Sequence, residues 1–205
     1  MRLSKRLRHI LIWGGLVSAI LAPIAAAANS PLLQWREPIY IIAGFAGIIA
    51  MAMLLLQPLL AISAIPGLSP HMSRRVHRYG GMALVLAVVV HVVGLWMTSP
   101  PDVIDVLLFR SPTPFAIWGA LAIWAVFGAA LLAFWRVRLP LRVWRWGHTV
   151  LVSLAVVGTV VHAVQIIGTM ETLTKSALSV LVVAALLLAI ARRRVWTMGI
   201  QPRRR

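Results

Sequence analysis

"VHRYGGMALVLAVVVHVVG", residues 76–94, places His77 and His91 fourteen positions apart in a run otherwise apolar enough to lie in lipid. At about 100° and about 1.5 Å per residue, fourteen steps end within about 40° of four full turns and about 21 Å along the axis. A helix over this stretch therefore shows two imidazoles on one face, one near each side of a membrane. "HTVLVSLAVVGTVVH", residues 148–162, repeats the interval with His148 and His162. The match extends to the approach: "RRVH" and "RWGH" set an arginine, Arg74 and Arg145, three residues before the first histidine.

The rest of the chain supports that setting. Of its 205 residues, 61% are hydrophobic, 12% are charged and none is cysteine. This balance excludes an ordinary soluble domain. The lack of thiols excludes disulfides, thiolate metal sites and iron–sulfur clusters held by the chain's own cysteines. A formal charge of +16 could signal nucleic acid, but the basic residues fall in short clusters between apolar runs, the pattern of membrane topology. The expected partner is the lipid bilayer, with no nucleic acid.

Six runs reach the roughly 20 residues needed to cross a hydrocarbon core: near 10–28, 39–65, 76–98, 113–134, 146–167 and 173–191. Between them, "PGLSP" (66–70), "SPPD" (99–102) and "SPTP" (111–114) break helices, because proline lacks an amide donor and restricts its predecessor. The expected fold is all-α, a polytopic membrane bundle of six transmembrane helices. It divides into a basic N-terminus with first helix and outer loop (1–38), a transmembrane core (39–191) and a basic tail (192–205).

All but three of the 20 Lys and Arg residues fall at the N-terminus (Arg2, Lys5, Arg6, Arg8), after the second run (Arg74, Arg75, Arg78), after the fourth (Arg136, Arg138, Arg142, Arg145) or in the tail (Arg192, Arg193, Arg194, Arg203, Arg204, Arg205). Arg36, Arg110 and Lys175 lie on the opposite side, with all four acids, Glu37, Asp102, Asp105 and Glu171. The positive-inside rule then puts both termini in the cytoplasm, and the expected location is a bacterial inner membrane. Trp35 and Trp96 are expected at the outer boundary, and Trp135, Trp144, Trp146 and Trp196 at the inner one. The opening "MRLSKRLRHILIWGGLVSAILAPIAAAANS" also fits a cleavable signal peptide, whose removal would leave five helices in the same orientation.

The third and fifth runs are separated by a single crossing, so they point the same way. His77 can then face His148 near the cytoplasmic side, and His91 can face His162 near the outer side. Opposed imidazoles suit axial ligation of a haem iron, leaving it six-coordinate and fit for electron transfer. Zinc fits less well, because it wants three or four ligands at one point. The interval therefore points to two stacked haems, His77/His148 inner and His91/His162 outer.

Between the ligands, Gly80, Gly81, Leu84 and Val88 on one helix and Leu151, Val152, Ala155, Gly158 and Thr159 on the other leave room for a flat macrocycle. Such small residues serve close helix contact equally well. Arg74 and Arg145, with Arg75, Arg78 and Arg142, are candidates to pair with inner propionates. Arg110, Lys175 and Gln165 are the outer candidates. Each arginine also has a simpler role in topology. A lone intramembrane histidine can simply bond a neighbouring helix; the matched quartet is what favours haem. His9 and His71, in polar flanks, are read as solvated.

On "RRVHRYGGMALVLAVVVHVVG" and "WRWGHTVLVSLAVVGTVVHAV" the chain resembles the ferric reductase-like transmembrane domain family. That family includes the membrane parts of ferric reductases and NADPH oxidases, and the haem-binding membrane subunit serving a bacterial periplasmic methionine sulfoxide reductase. The resemblance covers roughly residues 40–190. It implies six helices holding two b-type haems between the third and fifth, with His77, His91, His148 and His162 at the ligand positions. It also implies electron flow from a cytosolic flavin to the far side.

The chain departs from the larger members: about fourteen residues follow the last run, and no Gly-rich nucleotide fingerprint is present. A separate cytoplasmic NAD(P)H flavin reductase or the quinol pool is therefore the expected donor, with a flavin or quinone at a membrane face. The acceptor is expected to be periplasmic: ferric iron, oxygen or a partner oxidoreductase. A quinol-linked cytochrome b subunit is the alternative, although no Pro-Glu-Trp-Tyr run is present and "REPIY" (36–40) is a poor substitute. A scaffold or transporter with incidental histidines would be colourless.

Overall fold

The computed structural model describes residues 4–193. Arg2, the Arg193 side chain, Arg194, Trp196, Arg203, Arg204 and Arg205, invoked above, lie outside the described residues. The described chain forms seven α-helices: α1 (Lys5–Ala28), α2 (Pro38–Ala61), α3 (Pro70–Thr98), α4 (Pro100–Leu107), α5 (Pro114–Phe134), α6 (Leu141–Gln165) and α7 (Thr172–Arg193), with no strand. All except α4 are long and apolar enough to cross a membrane. Helix is what lipid demands, since each backbone amide must find its partner within the segment.

Four helices begin with proline at the first position: Pro38, Pro70, Pro100 and Pro114. There the missing N–H would be unpaired in any case, and the ring presets φ. Ser69 caps α3, its Oγ accepting from the Met72 amide at 3.2 Å. The 29 residues of α3 span about 44 Å against a core of about 30 Å, so the helix is longer than a perpendicular crossing requires.

Two boundaries differ from the sequence expectation. "SPPD" was expected to break the chain, and it does end α3, but the same prolines open the eight-residue helix α4, with Asp102 in its first turn. Proline terminates the helix before it and is tolerated at the start of the next. The second run stops at Ala61 rather than at 65, because the turn beyond needs left-handed backbone at Ser63 and Gly67.

The spans pack as two antiparallel hairpins, α2 with α3 and α5 with α6, and α7 lies against both α2 and α6. The outlying α1 leans on α7 and α2, tied by the Trp13 indole N–H donating to the Pro66 carbonyl at 3.1 Å. Without a hydrophobic drive between helices in lipid, close approach through small residues holds such pairs. A Cβ on Gly94 would lie 2.8 Å from that of Ala43, and one on Gly158 would lie 2.7 Å from the Trp118 carbonyl oxygen. Fully buried Ser73 adds a polar tie, donating to the Leu60 carbonyl at 2.8 Å. By contrast, α3 and α6 make no more than glancing contact. The space between the hairpins is where the histidines lie.

Candidate functional site

The level nearer the arginine-rich ends of α3 and α6 carries His77 and His148 and is called proximal here. The level nearer α4 and its acids carries His91 and His162 and is called distal.

At the distal level the two rings are held alike. His91 Nδ1 lies 2.7 Å from the Ala43 carbonyl oxygen, and His162 Nδ1 lies 3.0 Å from that of Phe115. A carbonyl only accepts, so each neutral ring carries its proton on Nδ1 and leaves the lone pair on Nε2. In each hairpin a glycine follows the carbonyl by four residues and backs the ring. A Cβ on Gly47 would lie 3.0 Å from His91 Nδ1, and one on Gly119 would lie 2.9 Å from His162 Nδ1. One helical turn thus supplies both an acceptor and a slot. The Phe115 ring adds an edge contact to His162, with centroids 5.8 Å apart.

His91 and His162 open onto one cavity of about 530 Å³, within the range of cofactor pockets. Leu84, Val88, Ile123 and Val126 give it apolar walls, and Tyr40, Thr98, Asp102 and Lys175 contribute polar groups. Val103, Val106 and Leu107 of α4 cover one side, and Thr169 and Met170 of the α6–α7 connection cover another. Of the three outer cations and amides expected to meet a cofactor, only Lys175 lines the cavity. It is buried and donates to the Ile166 carbonyl at 2.9 Å, whereas Arg110 and Gln165 are exposed and outside the lining.

Two imidazoles on one cavity with their Nδ1 atoms committed to carbonyls, apolar walls and a buried cation suit a haem with its acidic side chains. Among the described residues no group of three or more His, Asp or Glu side chains is placed to enclose a metal ion.

The proximal level is asymmetric. His77 Nδ1 lies 3.2 Å from the Gln57 main-chain carbonyl, and the Gln57 side-chain amide comes within 2.8 Å of the same nitrogen. His148 is stacked instead on Trp144, one turn earlier, with centroids 5.6 Å apart and planes 14° from parallel. The Arg136 guanidinium covers the Trp144 ring at 5.0 Å. Arg74 is exposed and Arg145 half-buried, each three residues from its histidine. Neither His77 nor His148 lines the distal cavity. Leu84, Ala87 and Val88 of α3 pack in one cluster with Val152 and Val156 of α6 between the two levels.

Several of these features were not foreseen. Gly80 makes room for Gln57, since a Cβ there would meet the end of its side-chain amide at 2.6 Å, and Gly158 packs on α5; both serve helix contact. Leu84, Val88 and Thr159 do line the cavity as expected. Trp144, assigned to the interface, is a partner of His148. Gln57 carried a signal that went unread, a buried amide in an otherwise apolar run, since polar groups at such depth are costly and have a partner or a function. His9 and His71 are exposed, as expected.

Comparison with known proteins adds one result. No curated protein and no solved structure matches the chain. Among protein families, residues 43–159, more than half the chain, match the one described as ferric reductase like transmembrane component. The match takes in α2 to α5 and most of α6, with His77, His91 and His148 inside it and His162 just beyond. The chain therefore belongs to the ferric reductase-like transmembrane family and is a multi-pass membrane protein of redox, electron-transferring type.

Proposed function

We propose that the protein is a di-haem b-type membrane cytochrome that carries electrons from the cytoplasmic face of a bacterial inner membrane to a periplasmic acceptor. The observation that carries this reading is the distal pair. His91 and His162 line one cavity, each with Nδ1 committed to a main-chain carbonyl and Nε2 left for a metal. When bound, haem iron supplies one-electron redox chemistry without consuming the protein.

The chain's own contribution is positioning and insulation. Ala43 and Phe115 hold the ring protons, Gly47 and Gly119 set the ring positions, and Lys175 offers a positive charge to an acidic side chain. At the proximal level, His77 and His148 are the proposed ligands, and Arg74 and Arg145 the proposed partners of the propionates. The arginine-rich end faces the cytoplasm by the positive-inside rule. A separate flavin reductase or the quinol pool then supplies electrons there, and ferric iron, oxygen or a partner oxidoreductase receives them outside.

The test is an absorption spectrum of detergent-purified protein, oxidised and dithionite-reduced, with haem quantified against protein. The expected result is a reduced b-type α-band and about two haems per chain, in keeping with six-coordinate bis-histidine iron. A colourless protein after expression with ample haem would refute the proposal. Oxidation of the reduced form by ferric chelate, by oxygen or by neither then separates the acceptors.

A further inference from the structure

We infer that Gln57 is a positioning residue that selects the tautomer of His77 and thereby sets the ligand strength of the proximal site; this deepens the di-haem reading and rests on it. At His91 and His162 the nearby main-chain group is a carbonyl, which calls for a proton on Nδ1. At His77 a single residue presents two groups to that nitrogen. The Gln57 carbonyl, at 3.2 Å, again calls for a proton on Nδ1. The Gln57 side-chain amide, at 2.8 Å, is closer.

The surroundings decide which end of the amide faces the ring. The group that approaches Nδ1 is also 3.1 Å from the His77 carbonyl oxygen, and the amide's other end is 3.1 Å from the Gly81 nitrogen. With NH2 toward the carbonyl and oxygen toward the Gly81 N–H, both ends are satisfied. That orientation also has NH2 donating to Nδ1, and a neutral imidazole that accepts at Nδ1 carries its proton on Nε2. Such a ring cannot ligate a metal until the amide turns over.

Gln57 is buried, and the absence of a side chain at Gly80 admits its amide. The proximal site therefore has a local barrier to ligation that the distal site lacks. With a haem iron held by His77, the amide oxygen would accept the Nδ1 proton and modulate electron donation by the ring.

The experiment compares full-length wild type, Gln57→Leu and Gln57→Glu, each checked for monodispersity and helix content. In chain prepared without haem and labelled with 15N-histidine, His77 is assigned by difference from His77→Ala. The nitrogen spectrum is expected to show Nε2–H in wild type and Nδ1–H in Gln57→Leu. In chain loaded with haem, the Gln57→Glu carboxylate can only accept, so it strengthens the ligand and favours ferric iron. The proximal midpoint should fall by at least a tenfold change in the oxidised-to-reduced ratio, 59 mV for one electron, with the distal midpoint unmoved.

The same tautomer in wild type and Gln57→Leu would overturn the inference, as would unchanged proximal midpoints in both variants. A shift in the same direction for both variants would also overturn it, by reducing Gln57 to packing. A wild type that takes up no haem would sink the di-haem reading alone, because the tautomer measurement needs no haem.

Discussion

The distal and proximal histidine levels are spaced alike on α3 and α6 but are built differently. Each distal ring is fixed by a carbonyl and a glycine one turn apart on the partner helix of its hairpin. The proximal rings differ from each other in their neighbours: His77 lies against the carbonyl and side-chain amide of Gln57, and His148 lies flat on Trp144. The repeat in the sequence therefore governs where the histidines stand, while the neighbouring helices govern how each ring is held. Two sites with equal donors and unequal surroundings are expected to differ in potential, since hydrogen bonding to the ligands and burial are the protein's means of tuning it.

The sharpest way to break this comparison is to delete a ligand. His91→Ala or His162→Ala should remove the distal haem and halve the haem-to-protein ratio, while His77→Ala or His148→Ala should remove the proximal one; redox titration identifies which midpoint is lost. If His91→Ala and His148→Ala removed the same component, the pairing would be wrong. Next in size is the glycine slot. Gly119→Ala puts a Cβ 2.9 Å from His162 Nδ1, and overpacking of this kind costs about 1–3 kcal/mol. A lower melting temperature and weaker retention of the distal haem alone are expected, with haem loss followed during detergent dilution.

A smaller effect is expected from Trp144→Leu, which removes a ring stack worth about 0.5–1.5 kcal/mol and should perturb only the proximal spectrum. The smallest concerns Glu171, beside the distal cavity but outside the spans. The Thr174 hydroxyl, the Thr174 and Leu173 amides and the Lys175 ammonium hold its carboxyl below the usual carboxylate range. The depressed value means that its contribution is complete above the ordinary carboxylate pKa and is lost as pH falls through the lowered one. Glu171→Gln should lower neutral-pH stability slightly, leave the acid limit unchanged and so flatten the acid side of a melting-temperature profile.

The six spans were legible because lipid leaves the backbone no other way to satisfy its amides, so apolar length alone marks them. That His91 and His162 stand at one level was legible for a similar reason: the interval of fourteen has a fixed meaning on a helix. The slots at Gly47 and Gly119 were hidden, because their role exists only once α2 is known to lie on α3 and α5 on α6. Lys175 could not be separated from Arg110 and Gln165 by sequence, since the choice depends on how the α6–α7 connection folds over the cavity. The helix α4 was masked by its prolines, which mark an end and a beginning with the same letters.

The packed layer of Leu84, Ala87, Val88, Val152 and Val156 between the two levels has an electrical consequence. Those side chains offer water and protons no hydrogen-bonding groups, so on the proposed di-haem reading an electron passing from the proximal to the distal level would cross this layer without a compensating charge. Over about 21 Å of a core about 30 Å thick, that crosses about 0.7 of the membrane field. At 100 mV it corresponds to about 1.6 kcal/mol per electron, from the 2.3 kcal/mol that a full crossing involves. In the proposed orientation, with the cytoplasm negative, the field would push electrons outward. Turnover in liposomes should accelerate under an inside-negative potential and slow when the potential is reversed, making the flux through this protein a reporter of the membrane's charge.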